Sequence, residues 1–310
     1  MKYLKLIRYQ NLLLLAFMQL LFRYGFLKFQ NNIVLSLSDW QYGLLVLATI
    51  LIAAAGYIIN DIFDQETDYD NKKENVIASQ IISEKSAYNL YFALNIIGVC
   101  IGYYLANVIQ KPSFAGVFII ISATLYMYAT TLKQMIIIGN IIVALLLSFS
   151  VVIIGLFDLL PSTYIENQAE MGLLFSILID YAIFTFIINF IRELIKDMED
   201  IEGDKNNGMS TLPIALGNAR TAKVASLLTS GALLLLLAYI YKNMVITKLY
   251  YSVVYAFVFI VAPLIFVAVK AWQAKEKAQF SFISKVLKWI IFFGILSILM
   301  INLNIKYNVK

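Results

Sequence analysis

The sequence predicts an all-α membrane protein built from nine transmembrane helices. Of its 310 residues, 61% are hydrophobic and only 14% are charged, a balance that a soluble domain of this size could hardly bury. Apolar runs close to the ~20 residues that span a bilayer recur along the whole chain. Within lipid every backbone amide needs a partner in its own segment, so these runs should be helices.

No linker rich in Pro, Gly or Ser divides the runs, so we expect one domain over residues 1–310. The first run is the weakest because Arg23 interrupts it. The sixth contains Asp180, which indicates either a wet cavity or a span that begins later. We expect no cleavable signal peptide, since no small-residue cleavage site follows the first run. In order, the predicted spans are Leu12–Leu27, Trp40–Ile59, Tyr88–Ile109, Phe114–Thr130, Ile136–Leu156, Met171–Phe190, Val224–Tyr241, Tyr250–Val269 and Trp289–Ile305.

Missing residue types exclude several kinds of site. The chain has no histidine, which excludes histidine-based acid–base catalysis, histidine-ligated haem and zinc sites that need histidine. The single cysteine, Cys100, excludes an intrachain disulfide, and its place in the third apolar run predicts a buried, inert thiol. The net charge of +5 does not indicate nucleic-acid binding, because the lysines lie in loops that face anionic membrane lipids or an anionic substrate.

The nine spans define two sides that differ in charge. The N-terminal side carries the N-terminus and the loops after spans two, four, six and eight, and it holds 17 of the 24 Lys and Arg residues. Positive residues accumulate on the cytoplasmic side, so we expect a multi-pass protein of the cytoplasmic (inner) membrane with these loops inside. The same side holds 13 of the 19 carboxylates, within residues 61–84 and 193–204.

An acidic pattern with the spacing D-x2-D-x3-D occurs twice on the N-terminal side. At ~100° per helical residue, each triplet falls on a single helix face, where three carboxylates repel each other unless a cation lies between them. Hard oxygen ligands suit Mg²⁺, with Mn²⁺ as an alternative. Because Mg²⁺ prefers one or two carboxylates plus phosphate oxygens, two facing triplets predict two Mg²⁺ ions around a diphosphate. The first motif contains Asp61, Asp64 and Asp68, and the second contains Asp197, Asp200 and Asp204.

Basic residues close to the same helix ends support a diphosphate site. Arginine can clamp a phosphate through two parallel bonds, whereas lysine acts as a point charge. Such cations would stabilise a leaving diphosphate as its negative charge develops. The alternative is that acidic and basic loop residues simply solvate helix ends. The candidate residues are Lys72, Lys73, Lys133, Arg192 and Lys196.

At these residues the sequence resembles the UbiA superfamily of intramembrane prenyltransferases. The family pattern N-D-x-x-D-x-x-x-D matches the stretch from Asn60 to Asp68, and D-x-x-D-x-x-x-D matches the stretch from Asp197 to Asp204. The resemblance covers nearly the whole chain. Further matches in family order are Arg8, Asn11, Tyr128, Lys133, Gly139, Asn140, Asn189, Arg192, Glu193 and 211–213.

The resemblance implies nine helices around a central cavity that two polar loops cap. It implies two Mg²⁺ ions that join the aspartates to an isoprenyl diphosphate, whose ionisation leaves an allylic carbocation for an acceptor to capture. The six motif aspartates would then be catalytic and metal-binding, and Asn60 would contact metal or diphosphate. Asn11, Lys133, Arg192 and Lys196 would contact the diphosphate.

The resemblance leaves two points open. Many family members carry an Arg-Pro pair after the first motif, whereas this chain has Lys72 and Lys73 in that stretch, and either lysine can substitute for the arginine. The second motif with 211–213 is most similar to the branch that joins geranylgeranyl groups to geranylgeranylglyceryl phosphate. Members that prenylate aromatic acceptors such as 4-hydroxybenzoate or dihydroxynaphthoate share the motifs, so a lipid-like and an aromatic acceptor both remain.

A divalent-cation transporter is the competing interpretation from another functional class. Acidic clusters and nine spans permit it. Transport favours carboxylates along a path at mid-membrane, however, whereas these cluster at one border. The sequence therefore favours a prenyltransferase.

Overall fold

The computed structural model describes residues 2–30, 33–65 and 82–308. Within these ranges nine helices are long and apolar enough to cross a membrane, which confirms the predicted number. Most extend beyond the apolar runs that predicted them, since polar residues complete the terminal turns. The helices are α1 Tyr9–Phe29, α2 Asp39–Phe63, α3 Glu84–Val108, α4 Pro112–Thr130, α5 Ile138–Ser162, α6 Gln168–Glu199, α7 Asn218–Val245, α8 Tyr250–Gln273 and α9 Lys277–Asn304.

Local sequence signals set several helix starts. Ser38 precedes α2, and its backbone N–H donates to Gln41 Oε1 at 2.8 Å, as in a capping box. The Ser83 hydroxyl accepts from the Ser86 backbone N–H at 3.3 Å and so caps α3. Pro112 opens α4, where a missing N–H costs nothing.

The helices pack in a closed arrangement. Helix α2 lies against α3 and α4, α5 pairs with α6, and α7 pairs with α8. Helix α9 contacts α6, α8 and α1, so the last span returns to the first. Among the described residues, buried side chains form three apolar clusters. The largest contains residues of α1 to α6 and of α9, and the second contains residues of α6 to α9. Nothing in this packing tests the predicted single-domain boundary of 1–310, which stays a prediction.

Arg23 does not interrupt the first span, contrary to the weakness that the sequence indicated there. Its guanidinium is buried against Asp158 of α5, with Nη1 donating to Asp158 Oδ2 at 2.8 Å. Nη2 donates to the Leu37 carbonyl at 2.5 Å, and the Leu37 N–H donates to Asp158 Oδ1 at 3.0 Å. The Tyr42 ring covers the guanidinium at 4.4 Å. The charge thus pins α1, the start of α2 and α5 together.

The prediction that Cys100 is buried is wrong. Cys100 lies in α3 as expected, but its side chain is exposed on the outside of the bundle. In a membrane-spanning helix the exposed face meets lipid, which tolerates an apolar thiol as well as a protein core does. An apolar run therefore could not distinguish the core face of α3 from its lipid face.

Candidate active site at the N-terminal side

The first acidic motif lies where α2 ends. Asn60 and Asp61 occupy its last turn, and Asp64 caps it, with the Asp64 backbone N–H bonded to the Asn60 carbonyl at 2.9 Å. The Asn60 side-chain amide donates to Asp64 Oδ2, so these two side chains are held together. Asp68 lies outside the described residues, as do Lys72 and Lys73.

Arg8 neutralises the first aspartate of this motif. Its Nη2 donates to Asp61 Oδ1 at 3.1 Å, and its guanidinium lies 5.2 Å from the centre of the Tyr57 ring. Arg8 sits between the short helix Lys2–Leu6 and α1 in the left-handed backbone region, at φ 50° and ψ 52°. Non-glycine residues rarely adopt that conformation outside turns and functional sites. The break between the two helices directs the arginine to α2.

The second acidic motif lies at the end of α6, and here the expected continuous helix is wrong. Helix α6 ends at Glu199, Asp200 is the junction residue, and a short helix resumes at Ile201–Asn206. Backbone bonds still run through the junction, since Asp200 N–H reaches the Lys196 carbonyl and Asp204 N–H reaches the Asp200 carbonyl. Asp197 therefore lies on α6, Asp200 at the junction and Asp204 on the short helix, so the motif does not lie on one continuous helix.

The segment between α4 and α5 joins the two motifs. Lys133, in the 3-10 turn Leu132–Gln134, donates to Asp64 Oδ1 of the first motif. Asn140, in the first turn of α5, donates to Asp197 Oδ2 of the second motif at 2.7 Å. Residues 131–140 thus donate one side-chain hydrogen bond to each motif. We call them the bridging segment.

Gly139 allows the bridging segment to fold tightly. A Cβ at Gly139 would lie 2.8 Å from Lys133 Cα, closer than real Cβ atoms approach backbone, and 3.2 Å from the Leu132 carbonyl oxygen, which is also a tight contact. Any larger residue would push the turn that carries Lys133 away from the start of α5. The glycine therefore positions Lys133 and Asn140 relative to each other.

Two further predicted residues lie on α6 just before the second motif: Lys196 directly precedes Asp197, and Arg192 lies five residues before it. Lys196 donates to the Glu193 carboxylate at 2.9 and 3.3 Å, and Arg192 Nη1 reaches it at 3.5 Å. Arg192 Nε is buried and has no hydrogen-bond partner among the described residues. The Nε–H donor of Arg192 is thus available to a ligand. Sequence reasoning missed Glu193 as the partner of both cations, although the i, i+3 spacing of Glu193 and Lys196 signals a pair.

A cavity with an empty volume of about 1140 Å³, partly open to the surroundings, lies between α1, α2, α4, α5 and α6. We call it the smaller cavity. Its polar end gathers many of the site residues, and its remaining wall is mostly apolar. The polar lining residues include Arg8, Asn11, Asn60, Arg192, Glu193 and Lys196, and two aromatic ones are Tyr57 and Tyr128.

A second, larger cavity of about 1510 Å³ adjoins it between α1 and α5 to α9. Asn11, Tyr57 and Arg192 line both cavities. The larger cavity extends down α6 to Asp180, which lies well inside that helix and accepts a hydrogen bond from Tyr239. Asp180 therefore lines a cavity, and α6 begins before it rather than after it.

The donor set at the motifs fits a hard divalent cation. Asn60 Oδ1 is buried and accepts no hydrogen bond from any described residue, which leaves an unused oxygen beside Asp64. In the described part of the chain, no three carboxylates lie close enough to enclose an ion by themselves. An ion held there would take one or two carboxylates and complete its shell with substrate or water oxygens, which is the preference of Mg²⁺.

The fold and the site together define an integral, multi-pass membrane protein with an oxygen-rich polar site over apolar cavities. The UbiA prenyltransferase family matches residues 25–299 of the chain. The chain belongs to this family.

Curated relatives agree with the family assignment. The digeranylgeranylglyceryl phosphate synthase of Sulfolobus acidocaldarius is 35% identical over 183 residues, which cover 59% of this chain and 60% of the relative. The protein of the same name from Methanosphaera stadtmanae is 31% identical over 246 residues, which cover 78% of this chain and 80% of the relative. The first similarity thus spans three fifths of the relative's length.

Solved structures share the fold. One from work on digeranylgeranylglyceryl phosphate synthase in membranes matches with a TM-score of 0.64 at 24% identity, over 96% of both chains. A UbiA homolog from Archaeoglobus fulgidus bound to DMAPP and Mg²⁺ matches with a TM-score of 0.55 at 18% identity, over 96% of this chain and 99% of the homolog. At these identities the likeness establishes the nine-helix fold and no more.

Proposed function

We propose that the protein transfers a polyprenyl group, best assigned as geranylgeranyl, from its diphosphate to an acceptor alcohol, best assigned as geranylgeranylglyceryl phosphate. The observation that carries this proposal is the bridging segment, which holds Asp64 of one motif and Asp197 of the other beside a cavity with a polar end and an apolar wall. The names of the relatives favour this acceptor over an aromatic one. The grouping of the carboxylates at one border disfavours a cation transporter.

The motif residues are proposed to hold divalent metal. Asn60, Asp61, Asp64 and Asp68 would serve one ion and Asp197, Asp200 and Asp204 the other. We expect Mg²⁺ and two ions, with Mn²⁺ as a substitute; the A. fulgidus homolog with Mg²⁺ and DMAPP supports this choice. Bound metal would supply positive charge to the diphosphate as its bond to the prenyl carbon breaks.

The chain's own cations are proposed to complete the diphosphate site. Lys133, Arg192 and Lys196 lie at the polar end of the smaller cavity or beside it, and Lys72 and Lys73 follow the first motif in sequence. As the carbon–oxygen bond of the donor breaks, both electrons go to the diphosphate, and these donors stabilise its growing charge. Asn11 lines the same end and would orient the substrate.

The apolar wall protects the carbocation that ionisation leaves. Tyr57 and Tyr128 present aromatic rings to the smaller cavity, where a cation gains from the ring face and meets little water. The acceptor hydroxyl then forms the new carbon–oxygen bond and loses its proton. Glu193 already pairs with Lys196 and Arg192, so we assign the proton to a motif carboxylate.

The predicted orientation stays part of the proposal. The excess of Lys and Arg on the N-terminal side would place the site at the cytoplasmic face of the inner membrane. That placement gives a water-soluble leaving group a direct route to the cytoplasm.

Purified protein in nanodiscs with Mg²⁺ and geranylgeranyl diphosphate tests the proposal. Acceptors would include geranylgeranylglyceryl phosphate, 4-hydroxybenzoate, dihydroxynaphthoate and homogentisate, with products identified by mass spectrometry and diphosphate release measured in parallel. We expect a product only with the glyceryl phosphate ether, and its loss in Asp64→Ala and Asp200→Ala. Unchanged turnover in either variant would sink the metal–diphosphate mechanism, and a product from an aromatic acceptor alone would reassign the acceptor.

A further inference from the structure

The two cavities differ in what they offer a ligand. The smaller cavity contains Asn60 of the first motif together with Arg8 and Lys196, so a diphosphate that touches the motifs belongs there. No motif residue lines the larger cavity within the described part of the chain. Arg192, Asn11 and Tyr57 form the border between the two. Two ligands that meet at this border would bring their reacting ends together.

Lys288 of α9 lines the larger cavity together with Asn11 and Arg192, and no carboxylate in the described part of the chain pairs with it. Its Nζ donates to the neutral Asn11 Oδ1 at 2.9 Å and has no carboxylate partner among the described residues. The other cations around the site are paired: Arg8 with Asp61, Lys133 with Asp64, and Lys196 and Arg192 with Glu193. Lys288 also lies within electrostatic range of Arg192 and Lys196. Charged residues inside a span are rare, and those that face a cavity mark substrate or ion pathways.

The length of the larger cavity restricts its ligand. Arg192 and Asp180 both line it and lie twelve residues apart on α6, which corresponds to ~18 Å at the helical rise. Between them the wall is mainly aliphatic, from helices such as α8 and α9. A single aromatic ring with a carboxylate would fill only a fraction of this space, whereas a long isoprenoid chain would fill it.

We propose that the larger cavity is the acceptor site, with Lys288 and Arg192 holding an anionic head group and the space along α6 and α9 holding its long aliphatic chain. This inference rests on the proposed function and assigns the acceptor to one chemical class, a phosphate-bearing alcohol with a long isoprenoid tail. The donor occupies the smaller cavity. Lys288 binds substrate rather than metal and has no part in ionisation.

Two substitutions with matched controls test the head-group and tail assignments. Lys288→Gln keeps a donor for Asn11 and removes the charge, whereas Lys285→Gln changes an exposed lysine three residues earlier on α9. Gly294→Leu enters the larger cavity, because Gly294 lines it and a Cβ there meets nothing within 4 Å. Gly231→Leu makes the same change on the exposed face of α7, also with open space around its Cβ.

The primary measurement is equilibrium binding of radiolabelled geranylgeranylglyceryl phosphate to protein in nanodiscs, which needs no turnover. Steady-state KM values for donor and acceptor accompany it. We expect Lys288→Gln to weaken acceptor binding roughly 10- to 100-fold, which is the usual effect of removing a charged hydrogen bond. The donor KM should not change. Lys288→Arg, which keeps the positive charge, should bind the acceptor nearly as well as the unaltered protein. Gly294→Leu should weaken the long-chain acceptor at least ~10-fold and leave a glyceryl phosphate ether with one five-carbon unit unaffected. Both controls should bind as the unaltered protein does.

Several outcomes overturn the inference. The first is acceptor binding in Lys288→Gln that equals binding in Lys285→Gln. The second is a rise of the donor KM in Lys288→Gln as large as the rise of its acceptor KM. The third is an equal effect of Gly294→Leu on long and short acceptors. Absence of acceptor binding to the unaltered protein also overturns it. If the unaltered protein binds the acceptor but transfers nothing to it, the proposed function fails while the binding comparison still decides the acceptor site.

Discussion

Two arginine–aspartate pairs lie at opposite ends of the bundle, and they are built differently. Arg23 and Asp158 are 1% and 0% exposed, and both oxygens of the carboxylate are bound. Asp61 is 7% exposed, but the side chain of its partner Arg8 is 39% exposed and hangs from a strained helix break. Arg8 lines the smaller cavity, whereas neither Arg23 nor Asp158 lines either of the two cavities.

The difference shows that a buried charge is not by itself a sign of catalysis. The sealed pair is buried and lines neither cavity, so we interpret its charges as fixing helix positions. The open pair borders empty space and lies near Asn60 Oδ1 and Arg192 Nε, polar atoms that no described residue binds. Arg23 Nε of the sealed pair is likewise buried without a hydrogen-bond partner among the described residues. The neighbouring cavity, more than charges or unused polar atoms, therefore distinguishes the candidate site from a purely structural ion pair.

Neutralising Asp158 should have the largest effect of the changes we predict, and it should act on stability. Asp158→Asn leaves the buried Arg23 with only its longer contact to the exposed Asp39, at 3.4 Å, as a counter-charge. We expect this to cost about 3–5 kcal/mol of unfolding free energy. Thermal and denaturant unfolding in detergent, followed by circular dichroism, would measure it, and transfer activity per folded molecule should stay within about twofold. The double change Arg23→Met with Asp158→Leu should recover most of the loss. Normal stability in Asp158→Asn would mean that the Arg23–Asp158 pair does not hold the helices together.

The same substitution at Asp61 should act mainly on turnover. Asp61→Asn is expected to lower kcat about 10²–10³-fold, the usual cost of losing a preorganised charge in an active site. Its effect on unfolding should stay near 1 kcal/mol, since Arg8 can turn to solvent. Comparing the two variants by the same unfolding and transfer assays tests the contrast directly. Equal losses of unfolding free energy in Asp61→Asn and Asp158→Asn would contradict the distinction between a structural pair and a site pair.

Gly139→Ala should have an intermediate effect that acts through geometry alone. Its Cβ would press on Lys133 Cα and move the bridging segment. A misplacement of about 1 Å costs up to ~10²-fold in rate, so we expect kcat to fall 10- to 100-fold. The matched control is Gly231→Ala, at an exposed position with open space, which should transfer at the normal rate. Normal kcat in Gly139→Ala would show that the two motifs do not depend on the bridge.

The smallest effect should come from Cys100, which lies on the outer surface away from both pairs. Cys100→Ala should change unfolding free energy by less than about 0.5 kcal/mol and leave turnover unaltered. A stability loss well above this value, as expected for truncating a buried side chain, would return Cys100 to the core.

Much of the fold could be predicted because bilayer crossing imposes a local rule on the chain. Nine apolar runs gave nine spans, and motif spacing identified the ends of α2 and α6 as the important ones. The rest depends on residues far apart in sequence. Arg23 looked like a flaw because its partner lies 135 residues away, and a hydropathy run cannot reveal which face of α3 meets lipid.

The site residues, too, could be predicted only where a local sequence pattern marks them. The motif carboxylates could be found from their local spacing. Nothing in the sequence around Lys288 distinguishes it from the other lysines, because its contact with Asn11 joins residues 277 apart. The junction at Asp200 also escaped the helical-spacing argument, because nothing in the surrounding letters marks a helix end. The roles assigned to the motif residues remain predictions that the variants above test.

The bridging segment has a consequence for the order in which the protein is made. Arg8, Asn60 and Lys133 all precede residue 134, so Asp61 and Asp64 have their partners as soon as the fourth span has emerged from the ribosome. Asn140 follows a few residues later and is in place before Asp197 is synthesised. Arg23, by contrast, must enter the membrane long before Asp158 exists, with Asp39 as its nearest early partner. During biogenesis, Asp61 and Asp64 of the first motif therefore have their partners early, whereas Arg23 of the first helix waits for Asp158 of the fifth.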